Sequence, residues 1–570
     1  MKEKREALKR VMGKLAKLLP LLASDQSGEV TNTADRIVRL LATVKLDLHD
    51  LVALLADHAE PLRMCNSFPF ETDPETLMRL ASTAAYFLNP DREVFADILV
   101  NGCRQTWPLA SHQYSEWLMR SFWLEKGRLV ANGHMKEVLR LLLAQTRFSD
   151  AARHDVHLRV AEADGKIYLD LADDTWRAIE ISGAGWHVVD APPVRFRRPA
   201  GMQALPLPVR GGNIDELRPF INVGKADFLL LVAFMVDALR VGRPHPVLYL
   251  AGGEGTAKST LTQLLASLID PCQLKLRGLP QLRDLFVAAH NQMILCFDNV
   301  SKIPPDVSDG ICQLTSGAGY ARRKNYTDSD EFYVRGSHPL ILNGIENCID
   351  RPDLADRAVI ITLPRVDGKR RRSDTEFWMN FDAARPRILG ALLDITVHGL
   401  RKQHDVRVSE LGRVADFQRW AIACEQAFAQ AGDFEKALKS NISNTVEDLL
   451  DVDPVAKAIA SFMMGRMAWK GTAAQLLTEL VRFDSTEARV TRLPAWPRDP
   501  ARLSKGLRSM QATLAKAGIM VIFGKALDRR RTRVIELSIT TNEDSSSAKS
   551  SLTESDIRDE RQGTQELGRG

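Results

Sequence analysis

The part of this sequence best equipped for chemistry is a glycine run closed by Lys-Ser-Thr. Ala251-Gly252-Gly253-Glu254-Gly255-Thr256-Ala257-Lys258-Ser259-Thr260 follows a short apolar run, Val247 to Leu250, and leads into the amphipathic stretch LTQLLASLI. Strand, glycine-rich loop, Lys-Ser/Thr and helix in that order let consecutive backbone N–H groups converge on phosphate oxygens, with the positive end of a helix behind them. Lys258 is placed to neutralise β- and γ-phosphate charge, and the Ser259 hydroxyl to ligate Mg²⁺. Gly253 to Thr260 is the expected cradle. The usual spacing carries a glycine where this chain has Ala257, and a methyl group there is tolerable if φ stays negative. A glycine-rich turn that binds nothing shares this composition.

Three later segments supply partners for that loop. Met293-Ile294-Leu295-Cys296-Phe297-Asp298 is an apolar strand closed by a carboxylate, about 40 residues beyond Lys258, where an aspartate can hold Mg²⁺ through water. Pro339 to Asn343 is another apolar run, ending in an amide that could touch a γ-phosphate and an attacking water. Arg351 and Arg357 bracket Pro352-Asp353-Leu354-Ala355-Asp356 just before the strand AVIITLP. Arginines in that place suit a finger that stabilises charge on a transferring phosphoryl group, or a surface salt-bridge cluster with Asp353 and Asp356.

The order GGEGTAKST, ILCFDN, TSGAGYARRKNYTDSDE, LILNGIE and RPDLADR resembles the ATPase module of phage- and plasmid-type primase-helicases, of the superfamily-three and AAA+ class of hexameric DNA motors. More closely, it resembles the ATP-binding proteins of prophages and integrative elements, over roughly residues 90–535. The resemblance implies ATP and Mg²⁺ as cofactors, with Lys258 and Ser259 on phosphate and metal, Asp298 on the metal and Asn343 as a sensor. It also implies that Arg351 or Arg357 acts on a neighbouring subunit of a homo-oligomeric ring. Arg322, Arg323 and Lys324 fall where such motors place a DNA-contacting loop. Beside Tyr320 and Tyr326 they would track a phosphate backbone and stack a base, though a solvated basic loop or a subunit contact fits them too. Most members have a glutamate base after the metal aspartate, and here that residue is Asn299. An amide cannot accept the proton, so Asp298 or another carboxylate such as Asp309 substitutes, or turnover is slow.

Positioning these groups calls for a multidomain α/β chain with a P-loop, AAA+-like ATPase core. With 570 residues, 45% apolar and 26% charged, the composition is that of globular proteins and excludes a mainly disordered, collagen-like or coiled-coil chain. Residues 1–58 read as a small helical domain, with Asn32 or Thr33 capping its second helix. Residues 90–200 read as an α+β domain with a hairpin turning at Asn101-Gly102. The Pro/Gly/Arg-rich stretch from Pro192 to Gly212 reads as a linker, 213–400 as the ATPase core and 401–453 as a helical connector. Residues 454–540 have the outline of a winged helix, and 541–570 of a disordered tail.

From Arg498 to Arg533 there are ten Lys/Arg against two Asp, which suits duplex or forked DNA. Leu503, Leu507, Met510 and Leu514 share the inner face of a helix there, leaving Arg508 outward, while Arg529, Arg530 and Arg531 belong to the wing. Seven scattered cysteines without a CxxC pair argue against a zinc ribbon and fit a reducing compartment. The basic N-terminus has helical amphipathicity rather than a cleavable apolar core, and the run Phe228 to Val236 is too short to span a bilayer. The expectation is a cytoplasmic ATPase without membrane contact: a DNA helicase or translocase in replication of a phage, plasmid or integrative element, on single-stranded or forked DNA. No polymerase motif supports primase activity. An ATP-gated assembly or switch that binds DNA without unwinding is the alternative.

Overall fold

The computed structural model describes residues 2–18, 27–51, 71–317, 320–323, 331–334, 336–368, 371–408, 412–483, 496–525 and 533–539. They fall into two compact units, residues 1–82 with 118–138, and 83–117 with 139–570. In the first unit, helices Lys2–Leu18 and Ser27–Ala42 bury Val11, Leu15, Ile37 and Leu41 together, the stripe that their spacing dictates. The second helix begins at Ser27, so Asn32 and Thr33 lie inside it rather than capping it, and Thr33 is buried.

The second unit opens on a hairpin, Val94–Val100 with Cys103–Pro108, whose turn residues Asn101 and Gly102 both have positive φ, 51° and 80°. An Asn-Gly pair adopts that geometry at little steric cost, and its twist matches that of the flanking strands. A four-stranded antiparallel meander over residues 160–189 follows.

The centre of this unit is a parallel sheet made of β1 (Val247–Ala251), β2 (Leu295–Phe297), β3 (Leu340–Gly344) and β4 (Ala358–Thr362), in the order β2-β3-β1-β4. Alternate residues serve opposite faces. Leu248, Leu250, Ile341, Val359 and Ile361 pack with helices α1 (Lys225–Asp237), α2 (Lys258–Ile269) and α5 (Asp374–Lys402). Val247, Tyr249, Leu295, Phe297 and Leu342 face α3 (Leu282–Asn291) and α4 (Pro305–Ser316). Because both faces are covered, the strands are apolar throughout rather than alternating. Outside β2, Arg277 makes one parallel bridge to Phe297, continuing the sheet by a single residue.

Helix α1 is apolar on every side and protein encloses it; no single described helix is long and apolar enough to cross a bilayer. The helices Ala415–Glu425 and Asp433–Val452 bring Phe417, Trp420 and Phe434 into the core that surrounds α1.

The stretch 192–212 is not a free linker. Arg195–Phe196 pairs in parallel with Val156–His157, Val209 N donates to Pro386 O at 2.9 Å, and Arg198 makes two bonds to buried Asp170, at 2.9 and 2.6 Å. Beside it, Arg159 is fully buried. Its guanidinium donates to Asp270 Oδ1 (2.9 Å), Asp170 O (3.0 Å) and Gln203 O (2.8 Å), while Asp270 Oδ2 accepts from Met293 N (2.9 Å) and Ile294 N (3.3 Å). This ion pair joins the meander to the end of α2 and to the residues leading into β2.

After residue 453 the chain forms helices Pro454–Met463, Ala473–Phe483 and Pro500–Lys516, with strands Ala468–Gly471, Ile519–Lys525 and Arg533–Ile539. The three strands make an antiparallel sheet with Arg533–Ile539 in the middle. Leu503, Leu507, Met510 and Leu514 are buried on it, as their spacing requires.

His338, just before β3, is buried against Met293 O (3.2 Å), and burial pushes its imidazole down to about 4 from an ordinary 6.5. The neutral ring is the form that the fold tolerates, so its contribution is complete above about pH 6.5 and is lost as pH falls towards 4. Urea unfolding at pH 5 should show about 2 kcal/mol less stability from this ring than at pH 7, and His338→Gln should flatten that dependence.

Candidate functional site

The glycine-rich loop leaves the C-terminal end of β1, between the neighbours β3 and β4, at the crevice where open parallel sheets bind ligands. Gly252 has φ of 150°, and a Cβ there would lie 2.8 Å from Leu363 O, so only glycine fits. Gly253, Glu254 and Gly255 are exposed, whereas Thr256 is buried and its Oγ1 donates to Gly253 O at 3.0 Å. Lys258 Nζ folds back onto the loop, donating to Gly252 O (2.6 Å) and Gly253 O (2.9 Å). Burial lowers its pKa from the usual lysine value, against the opposing charges of Asp298 and Glu254. Thr260 is half-buried in the first turn of α2.

Ala257 corrects the sequence expectation. Its φ is 64°, left-handed rather than negative. The fold keeps the backbone path of a glycine and imposes it on an alanine, at a cost on the order of 1 kcal/mol. Ala257→Gly should therefore raise stability by roughly 0.5–1 kcal/mol, read from the urea midpoint of nucleotide-free protein; an unchanged or lower midpoint would show the strain to be negligible.

Ser259 Oγ donates to Asp298 Oδ1 at 2.9 Å, although 39 residues separate the two in sequence. This hydroxyl–carboxylate pair of hard oxygen donors suits Mg²⁺. Among the described residues no cluster of three or more His, Cys, Asp or Glu side chains is arranged to hold a metal. Asn343 is buried at the end of β3, with Nδ2 donating to Thr262 Oγ1 (2.9 Å) and Oδ1 accepting from Asn299 N (3.1 Å). It thus ties α2 to the turn after β2, and Thr262 is a partner that sequence spacing does not single out. Asn299 is exposed with φ of 55°.

The arginines lie apart. Arg351 is held by Asp309 (2.8 Å), by Asp353 (2.9 Å) and by Pro305 O (2.9 Å), so Asp309, the substitute carboxylate, is itself occupied. Arg357 O accepts from Val247 N (2.8 Å), which puts this half-buried residue at the opposite end of β1 from the loop, about 16 Å along the strand. Arg322 and Arg323 end the strand Tyr320–Arg323, paired with Glu331–Val334, while Lys324 lies outside the described residues. Arg508 is exposed on the helix Pro500–Lys516 with its guanidinium 4.5 Å from the Phe523 ring centre. Arg529, Arg530 and Arg531 also lie outside the described residues.

One basic side chain that spacing gave no reason to select comes to the loop: a Cβ placed on Gly255 would lie 3.2 Å from Arg371 Nη2. Its only sequence signal is the run Lys369-Arg370-Arg371-Arg372 after β4.

The molecule is thus a multidomain α/β protein whose parallel sheet presents a glycine-rich loop and a serine–aspartate pair at the C-terminal ends of its strands. Residues 214–451 match the family of actinomycete integrative conjugative element replication proteins, AICE RepA, and residues 455–553 match the AICE RepA C-terminal domain. Over these spans the chain is similar to replication proteins of integrative conjugative elements, which supports the mobile-element expectation over residues 214–451 and 455–553 rather than 90–535. No curated protein matches the chain. Among solved structures, SCCmec type IV Cch, described as an active helicase, is similar with a TM-score of 0.42 and 12% identity over 80% of this chain and 92% of that one. The apo C-terminal region of NrS-1 gives 0.36 and 10% over 83% and 100%. These likenesses are too distant to assign chemistry to any residue.

Proposed function

We propose that the chain is an ATP-dependent DNA helicase or translocase, built on a P-loop, AAA+-like core, that acts in replication of an integrative element. The observation that carries this reading is the Ser259–Asp298 pair directly beneath the glycine-rich loop. Lys258 would exchange Gly252 and Gly253 carbonyls for β- and γ-phosphate oxygens, and the amides of Gly253 to Lys258 would complete the cradle. Magnesium, if bound there, would supply positive charge next to the triphosphate. Ser259 and Asp298 would orient it, and Asn343 would hold the turn that carries Asp298. In a ring, Arg351 would have to release Asp309 and Asp353 to reach a neighbour's nucleotide, which makes it a switchable finger rather than a fixed one.

DNA contacts in this reading come from Arg322 to Lys324 and from the C-terminal region, taken as a winged helix. The order helix, strand, helix, helix, strand, strand supports that assignment.

A second reading, an ATP-gated DNA-binding switch without unwinding, is favoured by one observation. Asn299 stands where a carboxylate base is wanted, and Asp309 is already engaged by Arg351. ATP hydrolysis with and without single-stranded DNA decides between the two. A motor requires turnover stimulated by DNA and abolished in Lys258→Ala; tight ATP binding with negligible turnover in both conditions supports the switch.

A further inference from the structure

We infer that Arg371 is a second phosphate-binding cation, brought to the glycine-rich loop by the same chain that carries the loop. This deepens the nucleotide reading above and rests on it.

After β4 the chain does not leave the site. Leu363 N donates to Ala251 O (2.8 Å), Asn222 Nδ2 donates to Pro364 O (2.6 Å) and Val366 N donates to Gly255 O (3.2 Å). Residues 363–366 therefore run along the outer side of the loop as a strap. Two residues beyond Arg371, the Ser373 hydroxyl accepts from Glu376 N (3.3 Å) and caps the 29-residue helix α5. The strap is thus anchored on both sides of Arg371, on the loop itself and on a long helix. Between these anchors Arg371 Nη2 lies within 3.2 Å of the position of a Gly255 Cβ.

Its charge is not used up there. The side chain is exposed, and among the described residues no carboxylate forms an ion pair with Arg371. A guanidinium that served only to brace the loop would bond to one of its carbonyls, as Lys258 does; none is bonded by Arg371. An unpaired planar fork next to converging amides suits a phosphate oxygen, which it can grip with two N–H groups where an ammonium offers a point charge. Gly255, at φ of 74°, has no side chain to stand between the two. The ligand class is a nucleoside triphosphate, held by Lys258 from inside the loop and by Arg371 from the strap.

The probe is mant-ATP with magnesium, its fluorescence titrated against the full-length chain. Relative to wild type, Arg371→Ala should weaken binding roughly 10- to 100-fold, the worth of a hydrogen bond to a charged group. Arg371→Lys should recover part of that loss, and Arg372→Ala, an exposed neighbour, should bind within about twofold of wild type. Circular dichroism should show unchanged melting for all three. Wild-type-like binding by Arg371→Ala overturns the inference and leaves the nucleotide reading standing. Absence of any mant-ATP signal from folded wild type overturns both, and an equal loss in Arg372→Ala reduces the effect to general charge.

Discussion

Lys258→Ala is expected to lower ATP turnover by roughly 100-fold or more, with little change in unfolding midpoint. The two halves of that expectation have separate causes. In the resting structure the ammonium is satisfied by carbonyls of its own loop, Gly252 O and Gly253 O, so its removal leaves polar groups that water can reach. During phosphoryl transfer, negative charge builds on oxygens that a fixed cation must already face, and no solvent rearrangement replaces it cheaply. Asp298→Asn should act similarly on turnover, because Asp298 organises Ser259 and the turn at Asn299 and, in the proposed function, would also hold the metal. Steady-state hydrolysis with matched urea titrations checks both halves. A variant that keeps more than about a tenth of wild-type turnover would remove Lys258 from the chemistry.

The second large effect concerns folding. Arg159→Met should cost about 3–5 kcal/mol, because Asp270 would remain buried without its counter-charge. Three backbone carbonyls, those of Asp170, Gln203 and Pro271, would lose a donor at the same time. Asp270 also accepts from Met293 N and Ile294 N, so the loss would spread to the entry of β2 and hence to Asp298. The expected readout is a lower urea midpoint together with weaker nucleotide binding, although Arg159 touches no part of the loop. Asp270→Asn should be costly too, since the buried Arg159 guanidinium would lose its counter-charge and the amide nitrogen would face an N–H donor. A midpoint within 1 kcal/mol of wild type for Arg159→Met would mean that water reaches the pair.

Much of the candidate site is legible in the sequence because it is local. A strand, a glycine loop, Lys-Ser and a helix occupy 23 consecutive residues, Val247 to Ile269, and need no tertiary information to be recognised. The Ser259–Asp298 contact is readable for a different reason. An apolar strand with a terminal aspartate has few places to go in a parallel sheet except beside the first strand or one strand removed, and β2 lies one strand removed, beyond β3.

What sequence could not reach depends on partners distant in the chain. The stretch from Pro192 to Gly212 has the composition of a linker. Its arginines are nevertheless consumed by Asp97, by Asp170, by Trp186 O and by the carbonyl of His290, groups 24 to 98 residues away. Ala257 adopts a positive φ, which side-chain identity alone does not announce. Arg371 is invisible for the same kind of reason: a run of four cations usually faces solvent, and only the hydrogen bonds from residues 363–366 bring this one to Gly255. The helices at 415–452 look like a connector by position, yet Phe417, Trp420 and Phe434 complete the main core.

Calorimetric titration of the folded chain with a slowly hydrolysed ATP analogue and magnesium decides whether the loop holds a triphosphate. A saturable heat is expected, with one site per chain, that disappears without the triphosphate moiety and is strongly reduced in Lys258→Ala. Absence of any heat from well-folded protein would mean that the amides from Gly253 onward hold no phosphate, and the proposed function would fall with that result.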